Sequence, residues 1–188
     1  MDQRFAVCLH ADVCGYCRLI AADVESTIKT LVAYRGLISR LVAALGGRVV
    51  DTAGDSVLAE FSDVAAALSC AVEMQGALER RNAELPPWRR LVFRVGIDLG
   101  QVVAEEGRIY GDCVNGAARV QELAAPGTIC LTGPAYDRIG VALPLRYEYL
   151  GQRALKNLPG PLRIYRVLEG SDAGAPTPTT ELTEQRGL

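Results

Sequence analysis

Three short stretches carry side chains whose types and spacing could do chemistry. The first, His10–Leu19 (HADVCGYCRL), puts Asp12 two residues ahead of a Cys14-x-x-Cys17 pair, where a strand should turn into a helix. Such a pair at a helix N-terminus lowers a thiol pKa and makes the thiolate an attacking group. The same turn admits a second chemistry. Unpaired backbone N–H groups of Val13, Cys14, Gly15 and Tyr16 can hold a polyphosphate while Asp12 holds its counter-cation, the cysteines being bystanders. The second stretch, TAGDSVLAEF, carries Asp55 in a hairpin turn. If the two strands are neighbours, Asp12 and Asp55 project from one sheet edge and can share hard cations. Paired cations of that kind stabilise both oxygens of an in-line phosphoryl displacement. Taken singly, each residue reads as an ordinary turn aspartate. The third stretch, YGDCVNGAAR, sets Asn115 and Arg119 four apart, on one face of a helix.

Apolar periodicity supplies the frame that must position these residues. Arg4–His10 reads as a first strand. Over 24–45, Ile28, Leu31, Val32, Ile38, Leu41, Val42 and Leu45 recur at threes and fours, an amphipathic helix stopped by Gly46-Gly47. Two runs, 48–51 and 56–61, flank an Ala-Gly-Asp turn and predict a hairpin. A second helix fits 63–82, capped by Asp63 and closed before Pro86-Pro87. Runs 91–97 and 101–104 predict a strand pair, and a helix after Tyr110 ends at Pro126-Gly127. A strand at 128–131, a short helix at 134–139 and strands at 145–150 and 163–167 follow. The β-α-β-β-α-β order predicts an α+β, ferredoxin-like antiparallel sheet with helices on one face. Residues 1–169 are expected to form one domain. Residues 170–188, rich in Pro, Thr and Gly, are expected to be a disordered tail.

Composition narrows the function classes. A net charge of −2 with both signs mixed along 188 residues offers no basic stripe for nucleic acid or an anionic membrane. No apolar run approaches a spanning helix and no secretory signal precedes the first strand, so a cytoplasmic location is expected. Six scattered cysteines in that setting argue against a disulfide framework, and most should be buried small hydrophobes.

Taken together, F-x5-A-D-V-x-G-Y from Phe5, TAGDSVLAEF, FRVGIDLG and Y-G-D-x-V-N-x-A-A-R resemble the catalytic domain of the class III nucleotide cyclases, the adenylate and guanylate cyclases. The likeness runs from about Phe5 to Val167. It implies the ferredoxin-like fold already read from the element order. It also implies a phosphorus–oxygen lyase that converts a nucleoside triphosphate to a 3′,5′-cyclic nucleotide and pyrophosphate. By resemblance, Asp12 and Asp55 would bind two Mg2+ or Mn2+ ions per site, with the Val13 carbonyl as a further ligand. Asn115 would orient the ribose and Arg119 would stabilise charge on the α-phosphate. Arg94 would contact the triphosphate, and Lys156 of ALKNLPG would reach its terminal phosphates. Val13–Tyr16 would be the phosphate loop. Arg94 is in addition an odd charge in an apolar strand, so an acidic partner or a phosphate should meet it. The family completes each site across two subunits. This chain carries both halves, so a head-to-tail homodimer with two shared sites is implied, and a monomer should be inactive.

One departure bears on the base. Adenylate cyclases typically set a lysine and an aspartate against adenine; the matching positions here hold Asp51 and Arg108, with the charges exchanged. An acceptor at Asp51 suits a ring N–H and a donor at Arg108 suits a carbonyl, an edge that guanine and uracil present and adenine does not. GTP or UTP is therefore expected over ATP, the family's commonest substrate. The plainer reading is an Asp51–Arg108 ion pair. Cys113, beside this site, is expected either to touch the base or to pack. The changed base edge also motivates a non-catalytic nucleotide-binding regulatory module, and Cys14 with Cys17 a thiol oxidoreductase or a thiol-sensitive loop.

Overall fold

Alternation along the first strand decides which helix covers which side of the sheet. The computed structural model of the chain describes residues 2–139, 143–156, 158 and 160–168. In β1 (Asp2–Val13), Val7, Leu9, Ala11 and Val13 fall on one face and Ala6 and Cys8 on the other, all at most 2% exposed. The odd face joins the main core with α2 (Val24–Ala44) and α3 (Val64–Ala83). The even face packs with α4 (Asp112–Leu123) through Cys113 and Ala117. The two helices of the βαββαβ unit thus share one face, as the element order implies, and α4, which follows that unit, closes the second.

The strands run in the order β2 (Arg48–Asp51), β3 (Val57–Phe61), β1, β4 (Phe93–Glu105), β6 (Ile129–Thr132), β8 (Pro161–Leu168), β7 (Arg146–Ala154). A short β5 (Arg108–Tyr110) folds back on β4. Among the described residues only the β4–β6 pairing is parallel. Asp23 and Asp63 cap α2 and α3 by accepting from the Ser26 and Ala66 N–H groups at 3.0 and 2.9 Å. A seven-residue α1 (Tyr16–Ala22) precedes α2, and α5 (Gly133–Ile139) follows β6. Among the described residues no helix is long and apolar enough to cross a membrane. The expected tail, 170–188, lies outside the described residues.

The expected strand pair 91–97 and 101–104 is one strand. β4 continues through Leu99-Gly100 because all twelve residues of β1 offer it a ladder, from Val13 opposite Phe93 to Asp2 opposite Ala104. The glycines of β4 also admit α4. A Cβ on Gly100 would lie 2.9 Å from the Cys113 Cβ, and one on Gly96 would lie 2.1 Å from the Ala117 carbonyl oxygen and 2.4 Å from the Gln121 nitrogen. Gly116 meets the sheet in the same way: its Cβ would stand 1.9 Å from Asp98 Oδ2. Asp98, held by Thr132 Oγ1 at 2.5 Å, is buried enough that its carboxyl is pushed up to about 6.

Backbone against backbone leaves no slack at Gly96. Gly96→Ala is expected to lift α4 from the sheet and cost about 1–3 kcal/mol, read as a lower urea midpoint at unchanged slope.

Candidate active site

Two strand ends and one turn build the site. Asp12 lies near the end of β1, directly across from Arg94 on β4, so register alone puts the two side chains on the α4 side of the sheet. Arg94 Nη2 stands 3.4 Å from Asp12 Oδ2, with both side chains about three-quarters buried. The odd charge in the apolar strand has therefore found its acidic partner. Arg94 Nη1 also donates to the Glu122 carbonyl at 3.4 Å, and its Nε and Nη2 donate to Gln121 Oε1 at 2.9 and 3.2 Å once that amide is oriented oxygen-first.

Asp55 comes from the turn between β2 and β3. That turn closes on itself, with Ser56 N and Oγ donating to the Ala53 carbonyl at 2.9 and 2.7 Å. Arg35 on α2 ties it down by donating to the carbonyls of Gly54 and, at 3.3 Å, Ser56. Burial, a hydrogen bond to the Asp12 carboxyl and the charge of Asp12 push the Asp55 pKa up, while the N–H groups of Asp55 and Val13 pull it partly back. The two carboxyls thus meet, which is the arrangement that a divalent cation relieves. Among the described residues no group of three or more His, Cys, Asp or Glu side chains gathers at one point. Two carboxylates are the protein's acidic share, which suits a hard cation that takes its remaining oxygens from carbonyls, water or phosphate.

The turn after Asp12 differs from the expected phosphate loop. Cys14 N donates to the Val92 carbonyl at 2.8 Å, and the Val13 N–H points to Asp55. Gly15, with φ +69°, starts α1, so the N–H groups left for an anion are those of Gly15 and Tyr16. Burial pushes the Cys14 thiol up, with Arg94 opposing, the reverse of what an attacking thiolate needs. Cys17 is exposed. Cys113 is buried, its Sγ donating to the Ala6 carbonyl at 3.7 Å, so it packs under α4.

Other predicted residues lie elsewhere on the same chain. Gln121 is on the inner face of α4; Arg119, two residues earlier and about 200° around the helix, is on the outer face with exposed Asn115. Arg119 pairs with Glu122 at 2.6 Å. Lys156 is exposed in the β7–β8 turn, which the strand directions carry to the sheet end opposite Asp12. Asp51 and Arg108 are exposed on β2 and β5, two strands joined where Arg48 donates to the Gly107 carbonyl at 2.7 Å. Asp51 accepts from the Thr52 N–H at 2.8 Å; no ion pair links it to Arg108 among the described residues, against the plainer reading of that exchange.

Residues 3–168 match the model of the adenylate and guanylate cyclase catalytic domain. The chain belongs to this family. Putative adenylate cyclase 3 of Rhizobium meliloti is 35% identical over 164 residues, 87% of this chain and 28% of that protein. The uncharacterised protein Rv1359 of Mycobacterium tuberculosis is 30% identical over 84% of this chain and 60% of its own length. The chain therefore spans between about a quarter and three-fifths of these curated relatives. The crystal structure of an adenylate/guanylate cyclase/hydrolase from Silicibacter pomeroyi superposes with a TM-score of 0.80 at 34% identity, covering 91% of this chain and all of that one.

The domain thus has the α+β fold that its element order predicted, shared with adenylate and guanylate cyclase catalytic domains. Within it, sequence reasoning missed Arg35, Gln121 and Glu122, which act through carbonyls or amide oxygens. For Arg35, the available signal was an arginine beside inward-facing Tyr34 in the apolar stripe of α2. The contact between the two carboxyls has a direct test. Asp12→Asn should lower the pKa of Asp55, by removing both the charge and the proton-sharing partner, in a carboxyl carbon NMR titration of the metal-free domain. An unmoved Asp55 would mean that the carboxyls do not meet.

Proposed function

We propose that the domain converts a nucleoside triphosphate to its 3′,5′-cyclic nucleotide and pyrophosphate, at sites shared between two head-to-tail copies. The observation that carries this reading is the split within one chain. Asp12, Asp55 and Arg94 converge, while Asn115 and Arg119 look outward from the far face of α4. Acidic and basic halves that face different directions suit sites assembled from two copies, each copy giving both halves once.

Asp12 and Asp55 would hold two Mg2+ or Mn2+ ions, which when bound lower the pKa of the ribose hydroxyl and offset the triphosphate charge. Arg94, beside Asp12, binds triphosphate oxygens in the same site. Asn115 of the other copy orients the ribose so that O3′ lies in line with the α-phosphorus. Arg119 of that copy leaves its exposed pair with Glu122, which costs little, and meets the charge developing on the α-phosphate. The O3′–P bond forms, the bond to the bridging oxygen of the β-phosphate breaks, and the hydroxyl proton passes to solvent. Lys156, exposed on a turn remote from its own chain's Asp12, is assigned to the terminal phosphates of the other copy's substrate.

For the base, Asp51 accepts from a ring N–H and Arg108 donates to a carbonyl, which favours GTP or UTP. Both side chains are exposed and unpaired with each other, so neither is committed to the fold. The same exchange motivates the second reading, a nucleotide-binding module without turnover.

Incubation with ATP, GTP, CTP and UTP plus Mn2+, with products identified by mass, separates the two readings. A cyclic product is expected, lost by more than about 100-fold in Asp55→Ala; binding with no product from any nucleotide supports the module. Mixing inactive Asp55→Ala with inactive Arg119→Ala should restore about a quarter of wild-type activity, because half of the dimers are mixed and each holds one intact site. No recovery on mixing overturns the shared site. The double exchange Asp51→Lys/Arg108→Asp should shift the ATP-to-GTP ratio of kcat/KM toward ATP by about tenfold or more.

A further inference from the structure

A guanidinium has five N–H donors in one plane, and where it points depends on what accepts from them. Around Arg94, Asp12 Oδ2 and the Glu122 carbonyl lie at 3.4 Å, the long end of a hydrogen bond. The shorter contacts come from Gln121, whose Oε1 accepts from Nε at 2.9 Å and from Nη2 at 3.2 Å. Gln121 is 2% exposed, and a polar side chain is kept in such a place only by its partners. The Gln121 backbone is fixed by the seat of α4 on Gly96, where a Cβ would come within 2.4 Å of its nitrogen. The acceptor is therefore anchored at its backbone, and it meets two nitrogens of one plane.

We propose that Gln121 is the positioning residue for Arg94, holding the guanidinium beside the Asp12–Asp55 pair in the orientation that receives triphosphate oxygens. The inference rests on Arg94 being a triphosphate contact. Without the amide oxygen, a long flexible side chain has only two distant acceptors. Phosphate must then order it at the moment of binding, at a cost in affinity. Because Arg94 meets the triphosphate before and during the reaction alike, the loss falls on KM and leaves kcat nearly unchanged.

Four variants, followed by kinetics and by exchange of the arginine N–H, test this. Gln121→Leu is expected to raise KM for the preferred nucleotide, and the inhibition constant of inorganic tripolyphosphate, by roughly tenfold each, with kcat within about twofold. Gln121→Glu keeps the acceptor and should leave both constants near wild type. Adding Gln121→Leu to Arg94→Ala should change KM no further than Arg94→Ala alone. In spectra of the protein labelled at arginine Nε, the Arg94 Nε–H should be slow to exchange in the wild type and in Gln121→Glu, and fast in Gln121→Leu. Three results overturn the proposal: a fall in kcat at unchanged KM, full additivity in the double variant, or an Arg94 Nε–H indifferent to Gln121→Leu. If Gln121→Leu does not fold, the Gln121→Glu and wild-type spectra decide: fast exchange in either one rejects the hydrogen bond. If Arg94→Ala itself leaves KM unchanged, the phosphate role of Arg94 fails and the proposal with it. A rise in Arg94→Ala with none in Gln121→Leu removes only the role of Gln121.

Discussion

The structure depends on holding two carboxyl groups against each other. Left in water, Asp12 and Asp55 would separate; here their positions come from elements that cannot easily yield. Asp12 is fixed by the antiparallel ladders of β1 with β3 on one side and β4 on the other. Asp55 is fixed by a self-closed turn that Arg35 grips through two carbonyls. Burial, the hydrogen bond to the Asp12 carboxyl and the charge of Asp12 together raise the pKa of Asp55. Arg94 pairs with Asp12 from across the strand pair, and its side chain is confined in turn by the end of α4.

Helix α4 is the second constraint, and glycine sets it. Gly96 and Gly100 on β4, with Gly116 on the helix, let the two backbones approach where any Cβ would collide. The contact fixes the rotation of the helix as well as its distance. Cys113, Gly116, Ala117, Val120 and Gln121 line the buried face, which sends Asn115 and Arg119 to the opposite side. One residue's rotation, about 100°, would undo both arrangements together. The same seat therefore serves the inward grip on Arg94 and the outward display of the two polar residues.

Legibility in the sequence followed the range of the interaction. Asp12 and Asp55 stood out because each punctuates a periodic apolar run, and Arg94 because a charge interrupts one. The paired helices and the hairpin followed from local spacing. What failed were features set by distant partners. Residues 98–100 fell between two expected strands, yet the long ladder offered by β1 carried β4 through them. The N–H groups of Val13 and Cys14 looked available at a helix start, yet Asp55 and the Val92 carbonyl use them. The α1 helix has no buried residue, so it left no apolar stripe to read. Arg35 and Gln121 work through a carbonyl and an amide contact that no residue spacing encodes.

Asp51 and Arg108 show the opposite case, side chains whose identity folding does not fix. Both are exposed, and Asp51 is engaged only by its neighbour's N–H. At such positions either charge sign is tolerated by the sheet, since solvent screens it and no buried partner demands it. The base edge proposed on β2 and β5 would then be free to change sign while β1, β4 and α4 keep the Asp12–Arg94 end constant. The stringent packing lies where the carboxylates meet, and the permissive surface lies on β2 and β5. Any selectivity written there must come from contacts with the ligand itself, because the folded chain alone gives the two residues nothing to distinguish them.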